Sequence, residues 1–141
     1  MLVAIKPLLK QYGFKKKNLN WIRETDSTVF IFNIQKSQYS RKVYLNVGIA
    51  IKAIAQEPVT VVYKCPIQMR LDHLIGGEAL NFEIPLDPVN RSHQFVRLLE
   101  SNPYGFFTSA GSKADLIDFI NTTGTRLVWL SASDYLGIPA R

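Results

Sequence analysis

Two stretches, "TVFIFNIQK" (28–36) and "RKVYLNVGIAI" (41–51), alternate apolar and polar residues so regularly that they dictate how the chain must pair with itself. Phe30, Phe32 and Ile34 share one face of the first; Val43, Leu45, Val47 and Ile49 share one face of the second. Side chains alternate across a strand with period two, so slipping the pairing by one residue would turn one of these sets towards water. Placing both sets on one side requires Phe32 to pair with Val47 and Ile34 with Leu45, across an even-length connection such as Gln38 to Arg41. The same register sets Asn33 opposite Asn46 and Gln35 opposite Tyr44 on the second face, with Gly48 nearby.

Other segments extend this meander. "NLNWIRE" reads as a strand leading into the first stretch through the turn-forming Thr25-Asp26-Ser27. "VTVVYK", introduced by Gln56-Glu57-Pro58, reads as another. After Gly76-Gly77, "ALNFEIPL" alternates with Leu80, Phe82, Ile84 and Leu86 on one face, and is expected to be a strand too.

Helices are expected at both ends. Leu2, Val3, Ile5, Leu8, Leu9 and Tyr12 recur at helical spacing and Gly13 marks a stop, with Pro7 expected to start or kink the helix near Lys6. Asp87-Pro88 is a cap and first-turn proline ahead of "VNRSHQFVRLLE", which turns Phe95, Leu98 and Leu99 inward. Ser112 and Asp115 form a capping box for "KADLIDFINTTG", closed by Gly124. "RLVWLS" fits strand or helix, and "SDYLGIPAR" reads as one turn and a tail. The expected fold is α+β: an N-terminal helix, an antiparallel meander of about five strands, and C-terminal helices packed on one face. With 141 residues and no repeat or Pro/Gly/Ser-rich linker, residues 1–141 are expected to form one domain.

Charge is unevenly spread along the chain. Residues 1–70 carry twelve Lys and Arg against three acids, net +9; residues 71–141 carry five against eight, net −3, which gives the overall +6. Such asymmetry points to a basic face meeting an anionic partner, unless the halves interleave in space and the field averages out. There is no apolar run of about eighteen residues that could span a bilayer, and the N-terminus lacks the basic head and cleavage site of a secretory signal. The single Cys65 allows no internal disulfide and no multi-cysteine metal site, so a cytoplasmic protein is expected. The N-x-S/T triplets at Asn90 and Asn121 then have no role as glycosylation signals.

Two constellations are candidate sites. The face formed by Asn33, Gln35, Tyr44 and Asn46 gathers amides that strand interiors disfavour, and four such groups can orient a ligand's hydrogen bonds. The plainer reading is a solvent-facing side of a half-covered sheet. The second is "GFKKKNLNW", where Lys15, Lys16 and Lys17 lie between Phe14 and Trp21, with Arg23 beyond them, as a nucleic-acid grip. In an extended strand, however, Lys15 and Lys17 point one way and Lys16 the other, and exposed lysines blunt a sheet edge with no ligand at all.

Enzymatic readings find less support. Arg70, Asp72, His73 and Glu78 fall close together, but no nucleophile stands by for His73 to activate. "GFFTSAGSK" resembles a phosphate loop only in outline, with five residues between Gly105 and Gly111 and the serine before the lysine. His73 and His93 are twenty residues apart with no second cysteine, so neither a metal nor another cofactor is expected.

The first half of the chain resembles a bacterial family, domain of unknown function 4304. The resemblance rests on "IKPLLKQYGFKKKNLNWIRE", "VFIFNIQKSQYSRKVYLNVGI" and "MRLDHL": a helix ending in Gly-Phe and a basic cluster, an aromatic-Arg strand, a strand ending in Gln-Lys-Ser, an Asn-Val-Gly strand and an Arg-Leu-x-x-Leu segment. Gly13, Phe14, Trp21, Arg23, Gln35, Ser37, Asn46, Gly48, Arg70 and Leu71 carry the match, while Asn18 stands where the pattern has glycine. The resemblance implies an intracellular bacterial α+β domain with this strand order and implies no activity. The function expected is therefore a non-enzymatic binding module for another protein or a small ligand, with nucleic-acid binding by the basic half as the alternative.

Overall fold

The computed structural model describes residues 2–140, the side chains of Leu2 and Glu78 excepted. It is an α+β arrangement in which helix α1 (Leu2–Gln11) precedes strands β1 (Lys15–Lys17), β2 (Asn20–Glu24), β3 (Thr28–Lys36) and β4 (Val43–Ile51). Strand β5 (Ile67–Arg70), a short helix α2 (Gly77–Leu80) and the longer helices α3 (Pro88–Ser101) and α4 (Lys113–Thr123) follow. Strand β6 (Leu127–Val128) and helix α5 (Leu130–Leu136) close the described chain. All six strands are antiparallel neighbours in the order β1-β2-β3-β4-β5-β6, one more than the sequence pattern suggests.

The register of β3 on β4 is the one that alternation requires. Phe32 pairs with Val47, Ile34 with Leu45, Asn33 with Asn46 and Gln35 with Tyr44. Ser37 N–H donates to the Lys42 carbonyl (2.9 Å), which leaves Gln38 to Arg41 as the connection. One face of the sheet builds the main core from Trp21, Phe30, Phe32, Leu45, Val47 and Ile49, covered by Phe95 and Leu99 of α3 and by Leu116 and Ile120 of α4. Phe106 and Phe107, on the link between those helices, meet Phe30 and Phe32 edge-on at 5.4 and 5.5 Å between ring centres.

Helix ends follow their capping residues. Asp87 Oδ1 accepts from Val89 N–H ahead of Pro88, and Ser112 and Asp115 cap α4 reciprocally. "RLVWLS" divides into both of its readings, with β6 first and α5 after Trp129. Helix α1 runs unbroken through Pro7, because Ile5 and Leu9 are fully buried and their packing outweighs the one hydrogen bond that proline removes.

Two expected strands are corrected. "VTVVYK" is irregular with a 3-10 turn at Val62–Lys64, and β5 lies further on. Its apolar residues are used differently: Val59, Val62 and Cys65 pack on Val29, Ile31 and Ala50 and cover half of the second sheet face. Gly48 permits this, since a Cβ there would sit 2.7 Å from Cys65 Sγ. "ALNFEIPL" is the end of helix α2 followed by a loop, held by Arg91 of α3 and by Phe82 N–H, which donates to the Arg41 carbonyl (2.8 Å). Arg91 donates to the carbonyls of Ala79 (2.8 Å), Asn81 (3.2 Å) and Ile84 (2.9 Å) and lies 4.2 Å over the Phe82 ring. A guanidinium that takes up three carbonyls replaces the ladder that a strand would have needed.

Candidate functional site

The second sheet face is where the open polar groups collect. The segment containing Val59 and Val62 covers its β2–β3–β4 centre at one end, and the other end carries the amides. Asn20, Asn33, Asn46 and Arg70 are successive register partners on four strands, and Lys17 extends the row at β1. At roughly 4.8 Å per strand the row spans about 19 Å.

The amides are bonded mainly to one another. Asn46 Nδ2 donates to Gln35 Oε1 (2.9 Å) and to Asn33 Oδ1 (3.3 Å), and Asn33 Nδ2 donates to Asn20 Oδ1 and the Leu19 carbonyl, both at 3.1 Å. Tyr44 is half-buried and carries the Arg70 guanidinium 4.4 Å above its ring. Asn33, Gln35, Tyr44 and Asn46 therefore do come together, as a flat braced surface. Two concave regions lie elsewhere.

Both flank β1. A shallow cleft of about 490 Å³ is rimmed by Lys6 and Lys10 of α1 and Lys15 and Lys16 of β1, over Phe14 and Trp21. A wider groove of about 960 Å³ is lined by Lys15, Lys16 and Lys17 and by Ile22, Val29, Ala50 and Val59, with the ion-paired Glu24 and Glu57 further along it. Strand β1 is thus a lysine ridge between two hollows.

Local sequence builds the ridge. Gly13 ends α1 with φ 95° and Phe14 N–H donates to the Leu9 carbonyl (2.9 Å), which turns the chain straight into β1. Asn18 takes φ 56°, the left-handed conformation that asparagine tolerates better than most residues, and closes a two-residue hairpin with Lys17 paired to Asn20. Lys6 and Lys10 are one helical turn apart and face the same side as the cleft. All five lysines are exposed, and the two ion pairs among the described residues use other lysines, Lys52 with Glu24 and Lys64 with Glu57.

The remaining candidates separate. Arg23 does not join the lysines: its guanidinium turns onto the core face, donates to the Ser109 (2.7 Å) and Phe106 (2.9 Å) carbonyls, and lies 4.3 Å over the Phe30 ring. Burial lowers its pKa from the ordinary value. Phe14 and Trp21 are 2% and 5% exposed, so neither offers a ring to a base. Asp72 Oδ1 accepts from Leu45 N–H (2.6 Å), whereas His73 Nε2 meets the Tyr104 hydroxyl (3.2 Å), so these neighbours serve different contacts. Among the described residues no group of three or more His, Cys, Asp or Glu is placed to hold a metal ion. Burial pushes the Cys65 thiol up to about 12, which leaves it protonated at neutral pH. Among the described residues no helix is long and apolar enough to cross a membrane.

Sequence reasoning read Lys15 to Lys17 as an exposed sheet edge but missed Lys6 and Lys10 as their companions. Their i, i+4 spacing within a helix abutting the lysine strand was the available signal. The model of a family described as domain of unknown function (DUF4304) matches residues 5–109. Neither a curated protein nor a solved structure matches the chain.

Proposed function

The chain belongs to the DUF4304 family, and from that premise we propose that it is a non-enzymatic binding module whose lysine ridge docks an acidic surface of another protein. The observation that carries this reading is the gathering of Lys6, Lys10, Lys15, Lys16 and Lys17 around one sheet edge, exposed and outside both ion pairs. Like charges held close together repel, so the cluster has a standing electrostatic cost that an anionic partner relieves. The groove beside the ridge adds Ile22, Val29, Ala50 and Val59, which suit apolar side chains from a protein partner. A cytoplasmic setting belongs to the same reading, supported by a lone buried thiol.

Nucleic acid is the second reading, and the same lysines support it. The burial of Phe14 and Trp21 favours a protein over single strands, because no ring at the ridge is presented for stacking.

Fluorescence anisotropy with a labelled twelve-residue polyglutamate, a single-stranded oligonucleotide and a duplex of matched charge, across a salt series, tests the proposal. The acidic peptide should bind in preference to both oligonucleotides, and a Lys15, Lys16, Lys17→Glu variant should lose at least roughly tenfold in affinity. Tighter binding of duplex or single strand near physiological salt would assign the ridge to nucleic acid instead. Binding of none of the probes would make the lysines a solvated strand edge.

A further inference from the structure

The amide row ends in a donor that no acceptor among the described residues takes up. Asn46 Nδ2 gives hydrogen bonds to Gln35 and Asn33, and Asn33 Nδ2 gives them to Leu19 and Asn20, so both amino groups have two acceptors each. The links from Asn46 to Asn33 and from Asn33 to Asn20 run in one direction, from β4 towards β1, and end at Asn20, whose Oδ1 accepts from Asn33. Chains of hydrogen bonds polarise one another, which strengthens the terminal donor. Asn20 is only 9% exposed, and among the described residues its Nδ2 donates to no acceptor. Among the described residues the buried side-chain nitrogens and oxygens without a partner are Arg23 Nε and Ser133 Oγ, so Asn20 Nδ2 is not fully enclosed. Lys17 stands directly opposite Asn20 across the hairpin, on the same face.

We infer that Asn20 Nδ2 and Lys17 Nζ form a subsite for a carboxylate of the acidic partner, an inference that rests on the lysine-ridge reading above. One carboxylate oxygen accepts from the Asn20 amide and the other meets the Lys17 ammonium. The division of labour is physical: a lysine is a mobile point charge, while an amide held by its neighbour supplies direction without a further entropic cost. Asn33 and Asn46 act through Asn20 as positioning residues. This gives the amide face a purpose that its flat shape does not, because its bonds fix a donor at the rim of the ridge.

The polyglutamate titration is repeated with two variants of equal charge. Asn20→Asp keeps an oxygen to accept from Asn33 but replaces the donor. Leu19→Asp puts the same charge in the exposed turn next door, where the Leu19 side chain is 74% exposed. The subsite predicts a loss of roughly tenfold or more for Asn20→Asp and no more than about threefold for Leu19→Asp. Asn46→Ala, which changes no charge, should weaken binding a few-fold with an unaltered salt slope, measured at a temperature where the variant stays fully folded. Equal losses in the two charge variants, or full binding by Asn46→Ala, would overturn the subsite and leave only the field of the lysines. Failure of the unaltered protein to bind polyglutamate would instead overturn the ridge reading itself.

Discussion

Residues that look alike in the sequence have different tasks here, and burial sorts them. Phe32 is fully buried between the sheet and Phe107, whereas Gln35 and Asn46 lie at or near the surface and exchange a hydrogen bond. Phe32→Ala should therefore cost about 3–5 kcal/mol, and the Gln35→Ala, Asn46→Ala pair about 1–2 kcal/mol together, measured by urea unfolding. A loss from the pair equal to that of Phe32→Ala would make the amide row a structural brace and nothing more. The cations sort the same way. Arg23 and Lys15 are eight residues apart in one basic stretch, yet the first is spent on two carbonyls and a phenylalanine ring while the second lines both hollows. Sequence alternation places Arg23 on the core face with Trp21, so its inward turn was legible there; which carbonyls it would meet was not, because they lie more than eighty residues away.

At the scale of elements, strict alternation proved informative only where a strand had neighbours on both sides. β3 lies between β2 and β4, so its register could be read from two facing apolar sets. "VTVVYK" and "ALNFEIPL" have equally strand-like composition, and tertiary contacts override it. The first is drawn across the second sheet face by the space over Gly48. The second is held by Arg91, whose distance of several residues from the segment gives no local signal. Replacing Arg91 with lysine, which keeps the charge but loses the planar fork, should lower stability by roughly 2 kcal/mol and speed hydrogen exchange in residues 79–86 before the rest of the chain. Unchanged exchange in that segment would show that other contacts hold the loop.

Across the whole molecule, two unlike faces share one sheet. The core face is closed by α1 from before the sheet and by α3 and α4 from after β5, and the apolar periodicity of α3 and α4 pointed inward correctly. The other face is half-covered, and its uncovered part runs from Arg70 through the amides to the lysine ridge. The basic bias of residues 1–70 was plain in the sequence, but its concentration at β1 depended on α1 folding back beside that strand. Amide chemical shifts, followed residue by residue during a polyglutamate titration, test this account most directly. The ridge predicts changes centred on Lys6, Lys10, Lys15 to Lys17 and Asn20, fading towards Gln35 and Arg70. Changes centred on Gln35 and Tyr44, or on the exposed Leu127 and Leu130 at the opposite edge, would contradict it.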